Sequence, residues 1–300
     1  MEAAPTIAPE WRLHPTRATQ VVCAARSDVG RVRNSNEDSL DFDAETGLLV
    51  LADGMGGCNG GEIASAMAVN IVSNEFRQLT LSLASDEPPT PGLSPVAVRL
   101  CTAIAKANRE IFQLGLLQSH LSGMGTTLVT ALFCGARVTI ASIGDSRVYR
   151  LRQGHFEQLT VDHTVVQEQI EYGLITPEQA RFAGNRGLIT RALGVEAGVE
   201  VDVQEQPVLP GDVFLLCSDG LFDMLDDQEI QFVIDHADGN LEAAAHQLID
   251  TANQKGGYDN ISVILARATR AYRRDGGKRW QHVKTDCLRP ARQSPQRAAT

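Results

Sequence analysis

The chain of 300 residues contains no apolar run approaching the roughly 20 residues that a membrane-spanning helix needs, so no membrane span is expected. Its first 20 residues have no basic-then-apolar pattern and are interrupted by Pro5, Pro9 and Pro15. They read as an irregular lead (residues 1–19) rather than a secretory signal. The six cysteines, Cys23, Cys58, Cys101, Cys134, Cys217 and Cys287, never occur as C-x-x-C. That spacing offers neither a zinc ribbon nor a disulfide framework, and fits a reducing cytoplasm. There is no internal repeat. A glycine-rich turn, Asp53-Gly54-Met55-Gly56-Gly57-Cys58-Asn59-Gly60-Gly61, lacks what a nucleotide loop requires. A dinucleotide fingerprint starting at Gly54 needs glycine where Asn59 stands, and no Gly-Lys-Ser/Thr follows. The glycines there instead let the backbone pass close to a ligand or metal.

The charge is uneven. Residues 268–300 carry nine basic side chains against Asp275 and Asp286, a +7 segment on a chain of formal net charge −10, which leaves −17 on the remainder. An acidic body is what a cation-binding protein shows when counted without its cations. The basic end lacks apolar periodicity and is expected to be disordered; nucleic acid is not the expected partner.

Hydrophobic content is 43%, enough for a substantial core. Strands are expected at 21–26, 48–53, 126–133, 137–143, 147–152, 155–159, 200–206, 213–218 and 261–267. Helices are expected at 62–80, 95–117, 226–235 and 241–254, with a polar helical stretch over 163–192. Pro88, Pro89, Pro91 and Pro95 mark an irregular link. Strands and helix pairs are segregated rather than alternating, which predicts an α+β sandwich with sheet inside and helices outside.

Four aspartates adjoin apolar strand-like runs: Asp53 after 48–52, Asp145 after 138–144, Asp219 after 213–218, and Asp259 just before 261–265. In an antiparallel sheet the end of one strand lies beside the start of its neighbour, so these carboxylates are expected to meet at one edge. Crowded carboxylates repel and raise each other's pKa unless a positive charge intervenes. The nearest cation in sequence is Arg147, read as a structural partner of nearby acids. A hard divalent cation is the natural counter-charge. Asp-Gly and Asp-Asn are also ordinary turn pairs; four such acids together favour a metal site. His163, after Asp162, reads as a capping or loop histidine.

Six motifs then occur in order: Arg33-Asn34-Ser35-Asn36-Glu37-Asp38, Ala52-Asp53-Gly54-Met55-Gly56-Gly57, Gly123-Met124-Gly125-Thr126-Thr127, Ile143-Gly144-Asp145-Ser146-Arg147, Ser218-Asp219-Gly220-Leu221-Phe222-Asp223, and Asp259-Asn260-Ile261-Ser262-Val263. Across residues 20–267 this set resembles the bacterial branch of the metal-dependent type-2C (PPM) protein serine/threonine phosphatases. The resemblance implies an α-β-β-α sandwich of two central, mostly antiparallel sheets flanked by helix pairs, and a phosphoric monoester hydrolase with two Mn²⁺ or Mg²⁺ ions and a weaker third divalent site. It implies that Asp53 bridges the pair, that the Gly54 carbonyl binds one ion, that Asp219 and Asp259 complete the second, and that Glu37 and Asp38 hold metal-bound waters. Asp145, Asp219 and Asp223 would form the third site, and Arg33 would grip the substrate phosphate. A metal-bridging hydroxide would attack phosphorus in line with no covalent enzyme intermediate.

Two departures bear on that expectation. Met55 stands where animal members carry a histidine taken as the general acid, so leaving-group protonation falls to a metal-bound water. In the flap-like segment (about 162–194), Ala183-Gly184-Asn185-Arg186 replaces a His-Pro before the arginine. The opening Ala24-Ala25-Arg26-Ser27-Asp28-Val29-Gly30 is similar to family members that accompany type VI secretion systems. Phosphorylated proteins and a cognate serine/threonine kinase are the expected partners of a cytoplasmic monomer. The alternatives are a phosphoprotein-recognising module without turnover and a scaffold acting through the basic end.

Overall fold

The computed structural model describes residues 21–43, 46–56, 60–79, 93–180, 183–269 and 283–285. The irregular lead, most of the proline-rich link and most of the basic end lie outside the described residues. A five-stranded sheet has the order β1 (Val21–Asp28), β11 (Ile261–Ala268), β10 (Val213–Cys217), β7 (Arg147–Arg152), β8 (His155–Gln158). A second sheet runs β12 (Val283–Thr285), β9 (Val201–Pro207), β6 (Arg137–Ile143), β5 (Leu128–Cys134), β3 (Leu48–Met55), β2 (Asp38–Asp43), with the short β4 (Gly125–Thr126) also on β3. Every pairing is antiparallel.

Alternation along single strands builds the layers. On β10, Phe214 and Leu216 turn toward the other sheet and join Cys23, Leu49, Leu51, Val129, Phe133 and Ile140 in a central core. Val213, Leu215 and Cys217 turn the opposite way, into a core shared with α6 (Asp227–His236) and α7 (Leu241–Gln254). Likewise Leu48, Val50 and Ala52 of β3 face α1 (Gly60–Leu79) and α2 (Pro95–Leu117). Strands buried on both faces read as unbroken apolar runs, which is why β10 and β3 stand out in the sequence. The four layers are the expected α-β-β-α sandwich. The helices start where their caps dictate: Ser94 accepts from the Ala97 amide ahead of Pro95, Asp226 and Glu229 form a reciprocal capping box, and Asn240 accepts from the Ala243 amide.

Three expectations are corrected. The stretch 163–192 is not helical throughout: only α3 (Val165–Glu171) and α4 (Pro177–Ala180) form, and Gly173, with φ +68°, ends the first. Residues 38–43, absent from the expected strands, are strand β2 paired with β3. The basic end is not wholly without structure, since Val283–Thr285 pairs with Val201–Val203 at the outer edge of β9.

Candidate active site

Both sheets deliver acids to one end of the sandwich. Asp53 lies on β3, and β2 sets Asp38 directly opposite it. Asp145 occupies the turn where the chain crosses from β6 in one sheet to β7 in the other. From the five-stranded sheet, Asp219 follows β10 and opens the short α5 (Asp219–Phe222), while Asp259 precedes the adjacent β11. The acids therefore converge between two sheets, not along one sheet edge as the strand argument alone suggested.

Neutral hydrogen bonds hold the backbone under them. The Asp53 amide donates to Thr127 Oγ1 (2.9 Å), the Thr127 amide donates to the Asp53 carbonyl (2.8 Å), and Thr127 Oγ1 meets Ser146 Oγ beside Asp145 at 2.7 Å. Asn260 accepts from the Glu37 amide at 2.9 Å and donates to the Val29 and Ser35 carbonyls, which pins the Arg33 loop against the start of β11. Ser218 Oγ donates to Asp38 Oδ2 at 2.8 Å. The Gly54 amide donates to the Glu37 carbonyl (3.1 Å), and β3 passes so close to α1 that a Cβ on Gly54 would stand 2.1 Å from the Gly61 carbonyl oxygen. Ser218, Asn260 and Thr127 had been given no role from sequence. Their signal was their place beside the acids in the six motifs.

Burial and mutual charge dominate the electrostatics. Desolvation, then the charges of Asp38, Asp219, Asp145 and Asp259, push the Asp53 carboxyl well above its ordinary range. Asp219 is pushed up in the same way, first by desolvation and then by Asp145, Asp259, Asp38 and Asp223. Burial lifts Asp38 to about 6, against hydrogen bonds from Ser262 and Ser218 that pull it down. Burial and then Asp162 lift Asp145 to about 6. Desolvation raises Glu37 as well.

The cation that reaches this set is Arg33, whose Nη2 donates to Asp259 Oδ2 at 2.7 Å. Arg147, the nearest in sequence, commits its guanidinium to Asp162 (2.6 Å), donates to Tyr149 and lies 3.6 Å over the Phe222 ring; it is a structural partner, as expected. Asp223, whose charge acts on Asp145 and Asp219, accepts from Arg186 at 3.2 Å.

The residues fit a hard divalent cation. Oδ1 of Asp38 and Oδ1 of Asp219 are buried without a hydrogen-bond partner, which is costly unless something positive meets them. The donors are all oxygen, the preference of Mg²⁺ and Mn²⁺. Although the acids gather at one end, among the described residues no three of them are spaced to close on a single ion as they stand, and Asp259 is held by Arg33.

A two-sheet sandwich with crowded, partly unpartnered carboxylates at its shared end has the donor set of a hard-cation site. Comparison with known proteins is specific. The family model described as Protein phosphatase 2C matches residues 31–253. The serine/threonine phosphatase stp of Listeria innocua is 37% identical over 243 residues, 80% of this chain and 93% of that protein. The catalytic domain of the serine/threonine protein phosphatase PstP, solved in complex with two manganese ions, superposes with a TM-score of 0.71 at 38% identity, covering 83% of this chain and 99% of that one. PppA, a regulatory component of the type VI secretion system in Pseudomonas aeruginosa, gives 0.70 at 34% identity, covering 84% of this chain and 99% of that one. The chain belongs to the protein phosphatase 2C family.

Proposed function

We propose that the protein is a metal-dependent serine/threonine phosphatase that hydrolyses phosphoserine and phosphothreonine in proteins. The observation that carries this reading is the pair of orphaned carboxylate oxygens in a set whose members hold each other's pKa values up. Asp53, the Gly54 carbonyl, Asp219 and Asp259 would hold two Mn²⁺ or Mg²⁺ ions, with Glu37 and Asp38 bounding the site. Asp145, Asp219 and Asp223 would offer a weaker third position. When bound, such a pair supplies charge neutralisation at the phosphoryl group and a nucleophilic water near neutral pH.

The chain's own residues do the rest. Arg33 is half exposed at the mouth of the site, and its planar fork of donors matches phosphate oxygens. Positioning and electrostatic stabilisation are what phosphoryl transfer chiefly asks of a protein. With a cation bound, Asp259 would serve as its ligand and leave the Arg33 guanidinium free for the substrate phosphate. Met55, two residues beyond Asp53, has no proton to give, so no side chain at that position acts as general acid.

The reading extends to a cytoplasmic monomer opposing a serine/threonine kinase. No helix among the described residues is long and apolar enough to cross a membrane. The likeness to PppA is no greater than that to PstP, so it singles out no pathway. The test is hydrolysis of a phosphothreonine peptide by purified protein in EDTA and then in added Mn²⁺ or Mg²⁺. Metal-dependent turnover is expected. Metal binding without turnover would instead favour a phosphoprotein-recognising module.

A further inference from the structure

One buried imidazole lies behind this site and takes no part in the proposed chemistry. His163 is 6% exposed and sits between Asp162, which Arg147 clamps, and Thr164, which caps α3. Its main chain is held on two sides: its amide donates to the Gly144 carbonyl (2.9 Å), and its carbonyl accepts from the Thr190 amide (2.8 Å). Its ring repeats the same two connections. The Gly144 amide donates to Nδ1 at 3.1 Å. A backbone N–H can only donate, so Nδ1 carries no proton and the neutral ring carries it on Nε2. Nε2 lies 3.3 Å from both Asp202 Oδ2 and Arg191 Nη1. Arg191 is also a donor, so the hydrogen bond from Nε2 goes to Asp202. Asp202 accepts Arg191 on its other oxygen at 3.3 Å.

Gly144 is the residue before Asp145. It has φ +92°, and a Cβ there would stand 2.6 Å from the Thr127 side chain, so the turn packs against Thr127 on one side while its amide is held by the His163 ring. Arg191 and Thr190 belong to the segment that brings Arg186 to Asp223.

We propose that His163 is a positioning residue with two separable functions: Nδ1 holds the Gly144–Asp145 turn in place, and Nε2, through Asp202, holds the 183–194 segment beside the site. Asp202 orients the ring much as a carboxylate behind a metal-ligating histidine does, here with a backbone amide where the metal would be. The inference rests on the phosphatase reading for its kinetic consequences but not for its structural ones.

Two substitutions separate the functions. His163→Asn puts an amide oxygen where Nδ1 is and leaves nothing to reach Asp202. His163→Gln puts an amide nitrogen where Nε2 is and leaves the Gly144 amide without an acceptor. In metal-free protein, hydrogen exchange at the Gly144 amide should stay near the wild-type rate in His163→Asn and accelerate about tenfold in His163→Gln, the loss of one hydrogen bond. The ring ¹⁵N shifts of the wild type should show Nε2 protonated and Nδ1 not. With Mn²⁺, His163→Gln should lose about tenfold in kcat on both a phosphopeptide and p-nitrophenyl phosphate, with KM unchanged. His163→Asn should raise KM for the phosphopeptide alone. Equal behaviour of the two variants overturns the proposal, whether both match the wild type or both lose melting temperature and every kinetic constant together. A wild type without turnover sinks the phosphatase reading, while the exchange comparison still decides this one.

Discussion

A carboxylate ionised in a partly desolvated site beside four others is held there at a cost, and at Asp53 that cost is relieved only by a cation or a proton. Removing the charge removes the cost. Asp53→Asn is therefore expected to abolish metal-dependent turnover, to raise the melting temperature of the metal-free protein, and to erase the increase that Mn²⁺ gives the wild type. Calorimetry with EDTA and with Mn²⁺ reads both effects, and a metal-free melting temperature below that of the wild type would contradict the electrostatic account. The pH dependence has the same origin. Asp38 and Asp145 titrate at about 6 when folded against an ordinary 3.8, so the native state binds their protons more tightly than the unfolded chain does. Their contribution is fully present below about pH 4 and is lost as pH rises through about 6. Melting temperature in EDTA should carry this downward contribution between pH 4 and 6, and excess Mn²⁺ should reverse it by holding the same acids ionised. Arg147→Met would leave Asp162 charged and half-buried without its bidentate partner, at a cost of about 3 kcal/mol, visible as a lower denaturation midpoint. The acids could be read from the sequence because each adjoins an apolar run. The Arg33–Asp259 pair could not, since those residues lie 226 positions apart and only the packing of the Arg33 loop on β11 brings them together.

Elements with an unbroken apolar stripe or a strong cap were legible to the residue: β6, β7, α2 and α7 have the bounds their patterns predict. β2 was not. Its sequence, Asp-Ser-Leu-Asp-Phe-Asp, is half acid, and every residue in it is only partly buried; register with β3, not propensity, makes it a strand. In the stretch after His163 the polar composition resembled an exposed helix, but Gly173, Gly184 and Gly187 divide it, and backbone bonds to Gly144, His163 and Thr126 hold much of the rest as loop. The approach of β3 to α1 gives a prediction at this scale. Gly54→Ala places a methyl group against main-chain atoms of Gly61 and Glu37 that cannot rotate away. It should cost on the order of 3 kcal/mol and weaken Mn²⁺ binding by displacing Asp53, as calorimetric titration would show. Gly184→Ala, whose Cβ meets nothing, is the matched control.

For the molecule as a whole, the basic end contributes β12, a three-residue strand on the rim of the larger sheet. Deleting residues 270–300 uncovers β9, and exposed strand edges recruit other chains. The expected result is unchanged turnover with concentration-dependent association on gel filtration; lost turnover would assign the end a part in catalysis. The other sheet is closed differently. β1 pairs along its whole length with β11, Val21 against Ala268 through Asp28 against Ile261. On the ribosome, β1 must wait for β11 to be made before it can pair. At roughly 5–20 residues per second that delay is on the order of tens of seconds, during which β1 and β10 both present open edges that a chaperone has reason to cover. The same closure delivers Asp259 and Asn260 to the site, so a nascent chain arrested before residue 261 has neither a finished sheet nor a finished cradle.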